Sequence, residues 1–97
     1  MKLDQSYITK IKNYFQDKPV IRAYLFGSFV RDEGSEQSDI DILVELDYSQ
    51  PIGLKFVGMA LDLEDLLQRK VDLVSANGVS KYIKPYIDQD KILIYVR

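Results

Sequence analysis

Residues 25–45 read L-F-G-S-F-V-R-D-E-G-S-E-Q-S-D-I-D-I-L-V-E. A mostly apolar run ends in Gly27-Ser28, ten residues intervene, and Asp39-Ile40-Asp41 opens a second apolar run. Two β-like runs are therefore joined by a short polar connection, with a Gly-Ser turn at one end and two carboxylates at the other.

In an extended chain alternate side chains share a face, so Asp39 and Asp41 point the same way, roughly 7 Å apart along the strand. Like charges so placed raise each other's pKa unless a positive group lies between them, and hard oxygen ligands suit magnesium. A solvated strand edge would carry two acids as well. At the other end, Gly27 lets a backbone approach a ligand closely, and Ser28 is able to cap a short helix whose N–H groups favour an anion. An ordinary capped turn has the same residues. The combination at this spacing is what points to a phosphate held beside a metal.

Gly27-Ser28, the ten-residue gap and Asp39-x-Asp41 followed by Ile42-Leu43-Val44 resemble the G-S-x10-D-x-D signature of the DNA polymerase β-like nucleotidyltransferase superfamily. The short length and Val71-Asp72-Leu73-Val74 make the chain most similar to the minimal nucleotidyltransferases, over about residues 21–74 with a weaker match in the tail. The resemblance implies an antitoxin that transfers AMP from ATP to a tyrosine hydroxyl of a HEPN-domain toxin, with which it forms a hetero-oligomer. It also brings in Asp72, a carboxylate inside an otherwise apolar strand, as a third metal-site acid. On this reading two magnesium ions sit about 4 Å apart, bridged by Asp39 and Asp41, with Asp72 on the nucleophile-side metal and available as base. Gly27 and Ser28 would place the triphosphate.

Arg31 has three readings: a nucleotide-phosphate ligand, a neutraliser of Asp39 and Asp41, or an ion-pair partner of Asp32 or Glu33. Relatives often carry Gly where this chain has Asp32, which predicts a differently seated loop.

Ninety-seven residues, 46% of them apolar and 29% charged, predict one globular domain spanning 1–97. A net charge of −2 offers no basic footprint, so direct nucleic-acid binding is not expected. The chain has no Cys and no His, which excludes Ser-His-Asp and Cys-His nucleophile systems and the usual zinc sites. Any chemistry must run on carboxylates. The first six residues lack the apolar core of a signal peptide, and no run approaches membrane-spanning length. A cytoplasmic protein without membrane contact is expected.

Ile8, Ile11 and Phe15 give residues 4–17 an amphipathic helical stripe, stopped at Lys18-Pro19. Strands are expected at 20–26, 39–46, 71–74 and 92–96, and a single turn of helix at 29–33 before Gly34-Ser35 and the polar Glu36-Gln37-Ser38. A helix is read from Pro51 to about Arg69, with Phe56, Ala60, Leu63 and Leu67 as its stripe. Leu54, Val57, Met59, Leu61 and Leu66 widen its apolar coverage, as a second packed side or a partner surface would. Another helix is read over 79–89, which Pro85 either starts or kinks, and most of the seven tyrosines are read as packing residues. The expected fold is α/β (α+β), a small mixed sheet of three or four strands with helices mainly on one face. Two functional alternatives remain: a non-catalytic antitoxin that masks its toxin by binding, and transfer to a small molecule such as an aminoglycoside.

Overall fold

A computed structural model describes residues 3–35 and 37–97; Met1 and Lys2 at the start, and Glu36 in the polar loop, lie outside the described residues. Helix α1, Gln5–Phe15, is capped by Asp4, whose carboxylate accepts from the Ser6 N–H at 2.9 Å. Its buried residues are Ile8, Ile11 and Phe15, the stripe set by their spacing. Strand β1, Val20–Phe26, leads into the connection and then β2, Ile40–Leu46. Helix α2, Lys55–Leu67, carries the chain back to β3, Val71–Ser75. A 3-10 turn, Ala76–Gly78, then precedes α3, Lys84–Asp90, and the final strand β4, Ile92–Val96.

The sheet order is β3-β2-β1-β4, with β1 antiparallel to both β2 and β4, and β2 parallel to β3. The parallel pair follows from α2, since parallel neighbours need a crossover whereas β1 and β2 need only a short connection. This mixed four-stranded sheet with three helices is the α/β arrangement expected from the sequence.

Helices α1 and α2 cover one face. Ile11, Phe15, Met59 and Leu63 join Leu25, Ile40, Ile42 and Val44 in one buried cluster. The helices are also linked directly, Tyr14 Oη donating to Asp62 Oδ2 at 2.6 Å. Phe15 is wholly buried; its ring centroid lies 5.9 Å from that of Tyr95, whose hydroxyl donates to the Phe15 carbonyl. On the opposite face α3 buries Ile87, which shares a small cavity with Leu43. Lys91 lies over the Tyr24 ring, 4.8 Å from its centroid.

Both later helices start further along than the sequence indicates. Helix α2 begins at Lys55 rather than Pro51, because Gly53 adopts φ +45°, which a right-handed helix cannot contain. Helix α3 begins at Lys84, because Ser80 forms a turn: its Oγ accepts from Tyr82 N–H and its carbonyl from the N–H groups of Ile83 and Lys84. Pro85 then falls in the first turn, where its missing N–H costs nothing. The wider apolar coverage of α2 is largely outside the core: Leu54 is 87% exposed and Leu61 61%, while Met59 is buried. Of the tyrosines, Tyr48, Tyr82 and Tyr86 are exposed and the other four are buried or half-buried. Among the described residues no helix is long and apolar enough to cross a membrane.

Truncating Phe15 to Ala leaves a cavity between α1 and the sheet and should cost about 3–5 kcal/mol, a large part of the roughly 5–15 kcal/mol typical of such proteins. Urea denaturation of native and variant protein measures it; a loss under about 1 kcal/mol would mean that Phe15 does not anchor α1.

Candidate active site

Asp41 is the centre of the acidic group. In the sheet register it stands opposite Phe26 of β1 on one side and Asp72 of β3 on the other, and laterally paired residues project from the same face. That face is the one opposite α1 and α2. Asp41 is half-buried and Asp72 exposed. Asp39 lies just outside β2, which begins at Ile40, where the Ile40 N–H donates to the Lys70 carbonyl at 3.0 Å.

Burial, then the Asp72 charge, then the Asp39 charge raise the Asp41 carboxyl from 3.8 to about 6, while Arg31 pulls it back. Asp39 and Asp72 stand near enough to act on the Asp41 carboxyl, and the three are a donor set of hard oxygens, which fits magnesium. Among the described residues no three of them close around one point as a metal cage does. Mutual repulsion opposes such closure when no cation lies between the carboxylates.

The Gly-Ser turn touches this group directly. Gly27 has φ +82°, and a Cβ built on it would collide with the Asp41 carboxylate. Only glycine meets both demands. Beyond it the Gly27 carbonyl accepts from the N–H groups of Val30 and Arg31 at 3.1 and 3.2 Å, and the Ser28 carbonyl from Glu33 N–H at 2.8 Å, so the segment makes one helix-like turn. Asp32 takes φ +60° there. This is the left-handed conformation that glycine enters freely and that Asp tolerates better than most residues.

Arg31 pairs with Glu33, Nε to Oε2 at 3.2 Å, which is one of its three sequence readings. It also pairs with Asp90 at the end of α3, a partner the sequence did not suggest. No local spacing rule links positions 59 residues apart. Arg31 thus ties the connection after β1 to α3, and its charge is felt at Asp41.

Residues 9–97 match the family described as Polymerase beta, Nucleotidyltransferase. The chain belongs to the polymerase β nucleotidyltransferase family. As such it is a nucleotidyltransferase, and it corresponds to the minimal form of the fold. A candidate protein adenylyltransferase of Methanocaldococcus jannaschii is 44% identical over 91 residues, spanning 92% of the chain and 90% of the relative. The protein adenylyltransferase MntA of Thermococcus cleftensis is 33% identical over 91 residues, spanning 93% and 91%. A solved structure of a candidate minimal nucleotidyltransferase superposes with a TM-score of 0.77 at 27% identity, over 91% of this chain and 89% of that one. A toxin–antitoxin structure with AMP-PNP superposes with a TM-score of 0.79 over 93% and 73%; at 24% identity the likeness is one of fold.

The geometry of this nucleotidyltransferase generates two predictions. The folded Asp41 carboxyl titrates above its ordinary value, so the protonated form is the one the fold favours: the cost of ionisation is absent below pH 3.8, grows towards about 6 and is fully present above it. Asp41→Asn should therefore raise the melting temperature of the metal-free protein at pH 7 to 8, with the gain vanishing near pH 4. Magnesium should stabilise the native protein and leave that variant almost unaffected. Equal stability of the two at every pH would show that Asp41 bears no strain. Gly27→Ala should lose nucleotide binding in calorimetry, since its methyl displaces the Asp41 carboxylate.

Proposed function

We propose that this chain adenylylates a protein: it transfers AMP from ATP to a tyrosine hydroxyl of a HEPN-domain toxin and so acts as that toxin's antitoxin. The observation that carries the reading is the placing of Asp41 beside Asp72 on two adjacent strands, with Gly27, just past the end of β1, packed against the Asp41 carboxylate. The Gly27-Ser28 turn thus lies on one side of Asp41 and the exposed Asp72 on the other. The adenylyltransferase relatives, at 33% and 44% identity over nearly the whole chain, support protein as the acceptor class.

In this arrangement the Ser28 hydroxyl and the N–H groups at the start of its turn, ahead of Val30, receive the triphosphate. Asp39, Asp41 and Asp72 would hold magnesium, which when bound neutralises the phosphates and raises the nucleophilicity of the acceptor hydroxyl. The acceptor oxygen attacks the α-phosphorus, the bond to the β-phosphate oxygen breaks, and pyrophosphate leaves. Asp72 takes the hydroxyl proton; it is exposed on the edge strand, where an incoming protein can reach it, and the chain contains no histidine to do so. Gly27 keeps the turn close enough to Asp41 for one phosphate chain to span both.

A stoichiometric mask is the second reading, favoured by the exposed apolar side of α2, where Leu54, Val57 and Leu61 present a surface suited to a protein partner. The two readings separate at Asp72. Asp72→Asn alters one strand-edge acid and leaves that side of α2 intact, so the variant should still co-purify with the toxin. It should add no AMP, visible as a missing mass increment, and give cells no protection. Full protection by the variant, with no nucleotide on the toxin in either case, would establish masking instead.

A further inference from the structure

Arg69 lies between α2 and β3, where the sequence gives it only a favourable place beside a helix C-terminus. In the structure its guanidinium lies over the buried ring of Phe29, 4.9 Å from the centroid, and over the ring of Tyr7 at 5.8 Å. Its Nη2 donates to the carbonyl of Ser35 at 2.7 Å and to that of Ser38 at 3.2 Å. These four contacts bear on both ends of one connection. Phe29 follows Ser28 in the phosphate turn, and Ser38 precedes Asp39. Tyr7 supplies a backing from α1, and Gly34 lies so close over the Phe29 ring that a Cβ there would collide with it.

Among the described residues, the partners of this cation are two neutral carbonyls and two aromatic faces. A planar guanidinium satisfies them together, stacking with its plane while donating from its edge; a compact, strongly hydrated ammonium does not. Arg69 is also joined to the sheet on its far side. The next residue, Lys70, accepts through its carbonyl from Ile40 N–H, one residue past Asp39, and Val71 N–H donates to Glu64 Oε2. The side chain and the neighbouring backbone therefore grip the connection at Phe29, Ser35, Ser38 and Ile40.

We propose that Arg69 is a positioning residue: by holding the Phe29 and Ser38 ends of the connection together, it sets the spacing between the turn that takes the triphosphate and the acids that hold the metal. Its effect on nucleotide binding rests on the function proposed above, whereas its effect on the connection does not. Acting through Phe29 and Ser38, it fixes the geometry in advance of the ligand. Displacement of a reacting group by about 1 Å is enough to cost on the order of 100-fold in rate.

Arg69→Lys keeps the charge and loses both the fork and the stack. In this variant the Kd for ATP with magnesium, measured by calorimetry, should rise at least about tenfold, and hydrogen exchange at residues 28–35 should accelerate to a similar degree, with β1 and β2 unchanged. Combined with Phe29→Leu, it should lose little more than the worse single variant, because both act through one contact. Arg97→Ala removes the ion pair with Asp47 at the opposite end of β2 and serves as the stability control. It should lower the melting temperature while leaving the nucleotide Kd within about twofold of native. The proposal is overturned if Arg69→Lys leaves affinity and exchange at native values, or if Arg97→Ala weakens nucleotide binding as much. Native protein that binds no ATP with magnesium would overturn the functional reading, and the exchange at 28–35 would then decide the positioning role by itself.

Discussion

Phe26 stands opposite Asp41 in the antiparallel pair of β1 and β2, and one residue later the chain turns back against that same carboxylate. No side chain fits between the two, and the backbone at the turn is left-handed. This contact fixes how the connection leaves the sheet, because a turn displaced by one residue would put a Cβ into the acid and Asp41 on the wrong face. The position of Ser28, the first turn beyond it and the return to Asp39 all follow from that departure angle. The rest of the connection is secured from a distance: Arg31 reaches α3, and Arg69, two residues past α2, reaches Phe29 and Ser38.

The division of labour between the two faces explains how so small a protein tolerates the acids. One face is filled by wholly buried residues such as Phe15, Ile11, Leu63 and Ile42, under two helices. The other carries the acids at one end and is covered by the shorter α3 around Leu43 and Ile87. The ionised Asp41 works against the folded state, since burial and two like charges favour its protonated form. The apolar face offsets that cost. Strand β2 reflects the same contrast along its length. At its far end Asp47 accepts from Ser49 and Arg97 and its carboxyl lies well below the usual carboxylate range, so that end favours the ionised form.

What was legible in the sequence was whatever depends on near neighbours. Alternation in Ile40 to Leu46 separates the acid face from the core face, the Ile8, Ile11, Phe15 stripe gives α1, and the Gly27-Ser28 to Asp39-Asp41 spacing marks the connection. The starts of α2 and α3 were misplaced because a left-handed Gly53 and a side-chain-bonded Ser80 are single-residue events inside otherwise helical patterns. Residues whose partners are remote in sequence were the least legible. Arg31 could be assigned to Glu33 but not to Asp90, and Arg69 showed nothing of Phe29 or the two serine carbonyls. Asp32 is a subtler case: the family resemblance suggested an altered loop, and the residue adopts a positive φ that its short polar side chain tolerates.

The order in which Gly27, Asp41 and Asp72 are laid down also bears on when they can act. Gly27 and Asp41 belong to a hairpin-like pair that is complete once β2 exists, whereas Asp72 joins them only through the parallel pairing of β3, and Asp90 secures Arg31 later still. Parallel pairing across a helix closes a longer loop than an antiparallel turn and forms more slowly. As the chain emerges from the ribosome, the turn and acid proposed to hold the nucleotide therefore come together before the acid proposed to take the proton. On the proposed roles, a nascent or truncated chain ending before β3 would hold the turn and Asp41 without the acid that accepts the proton, so that transfer would wait for the outer strand.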